Sequence, residues 1–430
     1  MSKENNVIGI IGLGYVGLPL AKSYLQVDTK VLGFDVDIDK VENLNQGKSE
    51  LEIFPNSFLK ESLKNKKFEA HDSFSLIKKC DAIIICVPTP LDKFHQPDLS
   101  YVISSIKSVV KFLKKGALVS LESTTYPGTS VEIIKPLLES HGFEVGKDIH
   151  LCYSPEREDP GNHSYTLKNT PKVISGFSQK CLSKAKEIYS LVCDTLVPVS
   201  SLEAAELCKL IENIQRSVNI GLMNELRLFA EKTDINLFEV IDAAATKPFG
   251  FTPYYPGPGV GGHCIPIDPF YLTFKAREFG VHTRFIELAG EVNDSMPSYI
   301  IRRVGEVLNL QKKSFSNSKI LCIGLSYKKN VGDTRESPSV QIFGQLIELG
   351  AKTDYHDPFV PSFPSMRKYS IHSKSVTLSE KTIKKYDLVV VNTLHDQIDV
   401  EVLYKYSKKI IDSAGSLRHF KDKQKKIILV

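Results

Sequence analysis

The strongest constraint on this chain stands near its start, where the apolar run Val7-Ile8-Gly9-Ile10-Ile11 leads directly into Gly12-Leu13-Gly14-Tyr15-Val16-Gly17. A short, unbroken apolar run suits a parallel strand buried on both faces, and helical spacing follows over 18–25. Glycines at Gly12, Gly14 and Gly17 permit a tight turn, let backbone approach a pyrophosphate and let the helix pack closely. The phosphate charge then sits at the helix amino terminus. Asp35 closes a second apolar run, 30–35, about 20 residues further on, where a carboxylate binds the ribose 2′-hydroxyl and repels a 2′-phosphate. The pattern predicts a dinucleotide site that takes NAD rather than NADP.

Apolar runs at 81–87 and 117–121 continue the strand–helix rhythm, which predicts a doubly wound α/β sheet over roughly the first 195 residues. The texture changes near Ser200. Ser200 and Glu203 have the spacing of a capping box, and helical periodicity then persists to about Lys232, interrupted only by Gly221. Leu207, Leu210, Ile211, Ile214, Val218, Leu222, Met223 and Leu226 cover a wide face, more than a surface helix needs. This helix is therefore expected at the packed centre, between domains and between subunits.

After a polar stretch, 311–318, a strand (319–325), a helix (339–349) and a strand with an acidic end (351–357) echo residues 7–37. Lys384-Lys385-Tyr386-Asp387 likewise repeats Lys78-Lys79-Cys80-Asp81, each ahead of an apolar run. The expected architecture is two Rossmann-like doubly wound lobes joined by a central helical region with a long helix. The divisions fall at 1–199, 200–310 and 311–430.

At 430 residues the chain exceeds one ordinary core. A formal charge of +5 is mild, and the basic crowd at Arg418, Lys421, Lys423, Lys425 and Lys426 lacks the aromatic interleaving of a nucleic-acid surface. It reads as a solvated edge that helps attract an anionic substrate. No apolar run approaches the roughly 18 residues of a membrane span, and 1–6 is too polar for a signal peptide. Eight cysteines without a Cys-x-x-Cys pair read as thiols in a reducing, cytoplasmic compartment.

A second constellation is Pro258-Gly259-Val260-Gly261-Gly262-His263-Cys264-Ile265-Pro266-Ile267-Asp268. A thiol after a glycine-rich loop can stand at the start of a helix, where the dipole lowers its pKa and makes it a nucleophile. An inert buried cysteine is the competing role. Asp268 follows at helical spacing, so carboxylate and thiol are expected on one face. His263 and Cys264 are adjacent, which is not metal-ligand spacing, and no metal is expected. Lys209 and Asn213 stand at i and i+4 on the long helix, where a cation and an amide donor could hold an oxyanion; a solvated helix face is the alternative. Glu156, in Tyr153-Ser154-Pro155-Glu156-Arg157, offers a carboxylate at a strand end or a partner for Arg157.

Taken in order, GIIGLGYVGLPLA at 9–21, VPTP at 87–90, ESTTYPGT at 122–129, YSPER at 153–157, AEL-x-KL-x-EN at 205–213, GVGGHC at 259–264 and GLSYKKNVGDTRESPS at 324–339 resemble the UDP-glucose/GDP-mannose dehydrogenase family. Within it, TKPFGFTPYYPGPGVGGHCIPIDPFYL is similar to the bacterial UDP-N-acetylglucosamine 6-dehydrogenases of surface-polysaccharide (O-antigen) pathways. The resemblance implies a homodimer or higher homo-oligomer built on the long helix. It assigns the turn Gly12, Gly14, Tyr15, Val16 and Gly17, with Asp35, Lys40, Thr89 and Thr124, to NAD, and places Arg335 near the cofactor. Cys264 becomes the nucleophile. Glu156, Lys209, Asn213, Asp268 and Thr124 complete the catalytic set, Glu156, Lys209 and Asn213 also touching substrate. Lys328 and the 254–262 loop, with Tyr254, Tyr255 and Gly261, bind the nucleotide sugar. Where some UDP-glucose enzymes carry an arginine sixteen residues before the cysteine, lent to the neighbouring subunit, this chain has Pro248 beside Lys247. That departure weakens the case for a cross-subunit contact and for glucose. The aromatic run Thr246-Lys247-Pro248-Phe249-Gly250-Phe251, Tyr254, Tyr255 and His263 suit a sugar with a 2-acetamido group. The expected reaction is a four-electron oxidation at C6. UDP-glucose, UDP-N-acetylgalactosamine and UDP-N-acetylmannosamine are alternative substrates, and a two-electron dehydrogenase or a non-catalytic NAD-binding protein are alternative functions.

Overall fold

The computed structural model describes residues 6–51, 54–92, 94–157, 164–262, 264–364 and 369–430. They divide into two compact units, Met1–Glu212 with Phe270–Val281, and Asn213–Pro269 with His282–Val430.

The first unit is built on a six-stranded parallel sheet in the order β3-β2-β1-β4-β5-β6. The strands are β1 (Val7–Ile11), β2 (Lys30–Phe34), β3 (Phe68–His71), β4 (Ala82–Ile85), β5 (Leu118–Leu121) and β6 (His150–Tyr153). β4 and β5 are buried along their whole length, as expected of strands covered on both faces. β1 pairs in register with both neighbours, Ile10 standing opposite Gly33 and Ile84. Ile8, Ile10, Leu13, Ala82 and Ile84 pack with Tyr24 and Leu25 of the helix Gly17–Gln26 in one core. Strands β7 (Lys172–Ile174) and β8 (Leu196–Pro198) form a separate parallel pair.

The second unit holds a five-stranded parallel sheet, β10-β9-β11-β12-β13. Its strands are β9 (Lys319–Ile323), β10 (Lys352–His356), β11 (Leu388–Val391), β12 (Ile410–Asp412) and β13 (Ile427–Leu429). The order repeats that of the first sheet without a counterpart of β3. The KKCD/KKYD repeat has a physical basis: Asp81 Oδ2 accepts the Val7 N–H at 2.8 Å ahead of β4, and Asp387 Oδ2 accepts the Lys319 N–H at 3.1 Å ahead of β11. Each carboxylate satisfies the first donor of the neighbouring strand, which the ladder leaves open.

The long helix is Leu202–Thr233, 32 residues. Its cap is Ser201, whose Oγ accepts the Ala204 N–H at 3.1 Å, one residue later than the expected Ser200. Leu210, Ile214 and Met223 are buried as its apolar face predicts, but Ile211, Leu222 and Leu226 are exposed. The periodicity could not separate these groups because both faces are apolar. A 27-residue helix, Arg284–Leu310, contains Pro297. Having no N–H, Pro297 cannot bond the Asn293 carbonyl, and a Cβ added at Gly259 would come within 3.1 Å of that oxygen. Among the described residues no helix is long and apolar enough to cross a membrane.

Candidate active site

The dinucleotide turn follows β1, at the carboxyl end of the first sheet. Gly12 has φ +90°, and a Cβ there would meet the Cys86 carbonyl oxygen at 2.8 Å. A Cβ on Gly17 would lie 1.9 Å from the Gly12 carbonyl oxygen. Both positions therefore need glycine for the fold itself. Gly14 differs, because a Cβ there would meet nothing within 4 Å. Its bare backbone is free for close approach by a ligand, as pyrophosphate binding requires. Val16 is the N-cap of the helix Gly17–Gln26, with no side-chain cap bond, and Tyr15 is exposed. Asp35, directly after β2, accepts the Leu13 N–H at 2.9 Å and the Asp37 N–H at 3.0 Å, and Lys40 Nζ lies 3.4 Å from it. Thr89 and Thr124 follow β4 and β5, Thr89 buried and Thr124 half-buried. Glycine turn, open helix terminus, carboxylate and two strand-end threonines at the carboxyl end of one sheet fit NAD.

The same unit holds Glu156 and Lys209. Lys209 Nζ donates to the Glu156 carbonyl at 2.7 Å and lies 3.0 Å from its carboxylate. Arg157 instead pairs with Glu212 and donates to the Pro171 carbonyl at 2.8 Å, so the expected alternative of a Glu156–Arg157 pair is not formed. Lys209 is 7% exposed and Asn213 6%, which rules out a solvated helix face for either.

Two supports here carry no sequence expectation. Glu122, just after β5, and Lys172 of β7 form an ion pair at 3.0 Å, each side chain 2% exposed. Lys172 also reaches the Pro155 carbonyl at 3.3 Å, and the Tyr189 hydroxyl donates to Glu122 at 2.7 Å. Burial works against the Lys172 ammonium, but the Glu122 charge and hydrogen bond, with the Cys193 and Glu156 groups nearby, together outweigh it and hold its pKa above the ordinary value. Glu206, also buried, accepts the Gly128 and Ser130 N–H groups at 2.6 and 2.9 Å. Burial pushes its carboxyl up to about 7 despite those bonds. Both glutamates lie inside the family motifs, but their partners are separated by 50 and 76 or more residues, beyond the reach of spacing.

In the second unit Cys264 is half-buried, and its carbonyl accepts the Ile267 and Asp268 N–H groups at 3.1 and 2.8 Å. The thiol thus stands at the turn entering the helix Asp268–Glu278. Cys80 and Cys152 are buried, and burial pushes their thiols up to about 12. Among the described residues the cysteines form no disulfide. Asp268 is fully buried and accepts the Asn213 side-chain N–H at 2.6 Å, so one amide hydrogen of Asn213 is already committed. Tyr254 donates to Gln215 at 2.7 Å and Tyr255 to Asp242 at 2.6 Å. Gly261 and Gly262 press on Tyr327, where Cβ atoms would meet its side chain at 2.6 and 2.8 Å, and Gly262 N–H donates to the Arg335 carbonyl. Lys328 follows Tyr327 and is half-buried. Arg335 is bound to Asp333 at 2.6 Å. His263 lies outside the described residues.

Residues 6–193 match the NAD binding domain of the UDP-glucose/GDP-mannose dehydrogenase family, 203–295 its central domain and 321–418 its UDP binding domain. The chain is 36% identical over 367 residues to a Pseudomonas aeruginosa protein named UDP-N-acetyl-D-glucosamine 6-dehydrogenase, covering 85% of each chain. It is 34% identical over 438 residues to a UDP-N-acetyl-D-mannosamine dehydrogenase of Methanococcus maripaludis, covering 97% of this chain and 96% of that one. A solved structure of the UDP-D-ManNAc dehydrogenase from Pyrococcus horikoshii superimposes with a TM-score of 0.85 at 31% identity, covering 95% of each chain. With all three domains matched in order and a dinucleotide turn shaped for NAD, the chain belongs to the UDP-glucose/GDP-mannose dehydrogenase family and is an NAD-dependent nucleotide-sugar dehydrogenase.

Proposed function

We propose that the chain oxidises UDP-N-acetyl-D-glucosamine at C6 to the uronic acid through a thioester on Cys264. The observation that carries this reading is Cys264 itself, a half-buried thiol at the entry to a helix whose first residue, Asp268, is a buried carboxylate. NAD, bound at the Gly12–Gly17 turn and Asp35, supplies the hydride acceptor for each of two oxidations. Loss of a proton and a hydride from the C6 alcohol gives an aldehyde. The Cys264 thiolate adds to its carbonyl carbon, and the resulting oxyanion takes hydrogen bonds from Lys209 and from the uncommitted amide hydrogen of Asn213. A second loss of hydride from the thiohemiacetal gives the thioester. Water, deprotonated by Asp268 or Glu156 with Thr124 as a hydrogen-bonding partner, releases the carboxylate and restores the thiol. The covalent link keeps the aldehyde from escaping between the two oxidations.

Lys328 and the 254–262 loop are assigned to the nucleotide sugar, and Arg335 to the cofactor side. The functional division proposed is 1–199 for NAD, 200–310 for catalysis and assembly, and 311–430 for UDP. The acetamido sugar is supported by the names of the P. aeruginosa and M. maripaludis relatives, both N-acetylhexosamine enzymes. The mannosamine epimer is the second reading, favoured by the P. horikoshii structure. Homo-oligomerisation is supported by Leu222, Leu226 and Phe229 on the long helix and by Phe285 and Leu288 on the helix Arg284–Leu310, all exposed in the single chain. A cytoplasmic role in surface-polysaccharide synthesis follows from this substrate and from thiol chemistry that needs a reducing compartment.

The test is stoichiometric. Each sugar consumed should yield two NADH and no free aldehyde; one NADH at completion sinks the thioester. Cys264→Ser should lower turnover by about a thousandfold or more while NAD and UDP-sugar still bind. Comparing kcat/KM for the N-acetylglucosamine, N-acetylgalactosamine, N-acetylmannosamine and glucose derivatives decides the sugar.

A further inference from the structure

The 254–262 loop is held at Gly257 by two side chains one turn apart on the long helix. Gly257 N–H donates to Asn224 Oδ1 at 2.9 Å, and its carbonyl accepts from Arg227 Nη1 at 3.0 Å. Asn224 is 0% exposed and Arg227 4%. The Asn224 amide has its orientation set from behind: its Nδ2 donates to Asn293 Oδ1 at 2.9 Å, and Asn293 Nδ2 donates to the Ser217 carbonyl at 3.1 Å. Arg227 reaches a second segment through Nη2, which donates to the Ser413 carbonyl at 2.9 Å, directly after β12. Its guanidinium lies over Phe238 and Tyr299. Phe238 stacks on Tyr255 at an interplanar angle of 14°, and Arg418 lies over the Tyr255 ring at 4.5 Å. A Cβ at Gly415 would come within 2.2 Å of Phe238, so glycine is required for the 413–418 segment to dock there.

Arg227 is a costly choice for this place. Among the described residues its hydrogen-bond partners are backbone carbonyls rather than carboxylates. Burial pulls its pKa down to about 10, which still leaves it charged at neutral pH. An apolar side chain would fill the space without that desolvation. What the guanidinium adds is directional: two carbonyls, on the loop and on the β12 end, fixed by one rigid fork.

We propose that Arg227 and Asn224 are positioning residues for the nucleotide-sugar loop, locking Gly257 to the long helix and to the 413–418 segment. Tyr255, clamped by Phe238, Arg418 and Asp242, serves the same joint. The proposal rests on the assignment of 254–262 to the nucleotide sugar. Arg227→Met in the full-length enzyme should raise KM for the UDP-sugar about tenfold and accelerate amide hydrogen exchange across 254–262. KM for NAD should move less than about twofold, because the NAD turn lies in the other unit. Arg227→Lys should recover part of the loss, since an ammonium keeps one carbonyl bond. Unchanged exchange across 254–262 overturns the clamp. Faster exchange with an unchanged sugar KM leaves the clamp standing but removes the loop from the sugar site, and the positioning role falls with it. If Arg227→Met does not fold, Arg418→Met carries the same test through Tyr255, with an expected threefold rise in sugar KM and the same two overturning results.

Discussion

Apart from β3, which has no counterpart, the two sheets repeat one another down to single hydrogen bonds, and they part company at one turn. In the first, Gly12 follows β1, the Leu13 N–H donates to Asp35 Oδ2, and the Asp37 N–H donates to Asp35 Oδ1. In the second, Gly324 follows β9 at φ +81°, the Leu325 N–H donates to Asp357 Oδ2, and the Phe359 N–H donates to Asp357 Oδ1. Even the lysine ahead of the next strand recurs, Lys114 on Asp81 and Lys408 on Asp387. The two copies differ in the segment beyond the glycine. Residues 13–16 lead at once into a helix, whereas 325–337 form a long loop that carries Tyr327, Lys328 and Arg335. The carboxylates diverge accordingly. Asp35 keeps 10% side-chain exposure beside Lys40. Asp357 has none and also accepts from His395 Nε2 at 3.1 Å. The Asn330 N–H donates to His395 Nδ1, which places the His395 proton on Nε2. One scaffold thus leaves the aspartate partly open beside a lysine in one copy and closes it as an internal fastener in the other.

The largest effect that would break this comparison is on stability. Asp357→Asn should cost about 3 kcal/mol, because it leaves buried donors badly paired, whereas Asp35→Asn should cost less than about 1 kcal/mol. Urea midpoints measure both, and equal losses would erase the distinction. Acid titration is next. Burial alone would raise the Asp357 carboxyl, but the hydrogen bond from His395 Nε2 and those from the Ser326 and Leu325 N–H groups hold it down to about 2. A folded-state pKa below the ordinary value contributes stability above that value, and loses it as pH falls through the folded one. About 2 kcal/mol should therefore disappear between roughly pH 4 and pH 2. Asp357→Asn should flatten that part of the stability–pH curve, which chemical denaturation at stepped pH will show.

Smaller still is cofactor choice. Asp35→Ala should narrow the NAD over NADP preference about tenfold, and a wild type that already prefers NADP would refute the assignment. Finally, Gly14→Ala should shift the midpoint by less than about 1 kcal/mol while raising KM for NAD several-fold. Gly12→Ala, with its positive φ and backbone clash, should instead fail on stability.

Much of this was legible in the residues. Buried parallel strands declare themselves by unbroken Ile and Val runs, and the 7–37 and 319–357 echo exposed the duplication. Lys209 and Asn213 could be paired by helical spacing, but not their burial, because a polar side chain reads alike whether it faces water or a buried carboxylate. Lys172 and Glu122, or Arg227 and Ser413, are joined only by the tertiary fold, and no local pattern carries such a bond. The cap moved from Ser200 to Ser201 because adjacent serines offer the same chemistry.

Within the second unit, Asn213, Ser217, Asn224 and Arg227 place buried polar groups along the long helix, each matched to a particular partner. Such a helix behaves like a keyed shaft. Inserting or deleting one residue between Ser217 and Asn224 would turn everything beyond by about 100°. Asn213 would stay on Asp268 while Gly257 lost both of its anchors. This stretch can drift in composition but not in length, so working relatives should align through it without gaps while the loops around it grow and shrink.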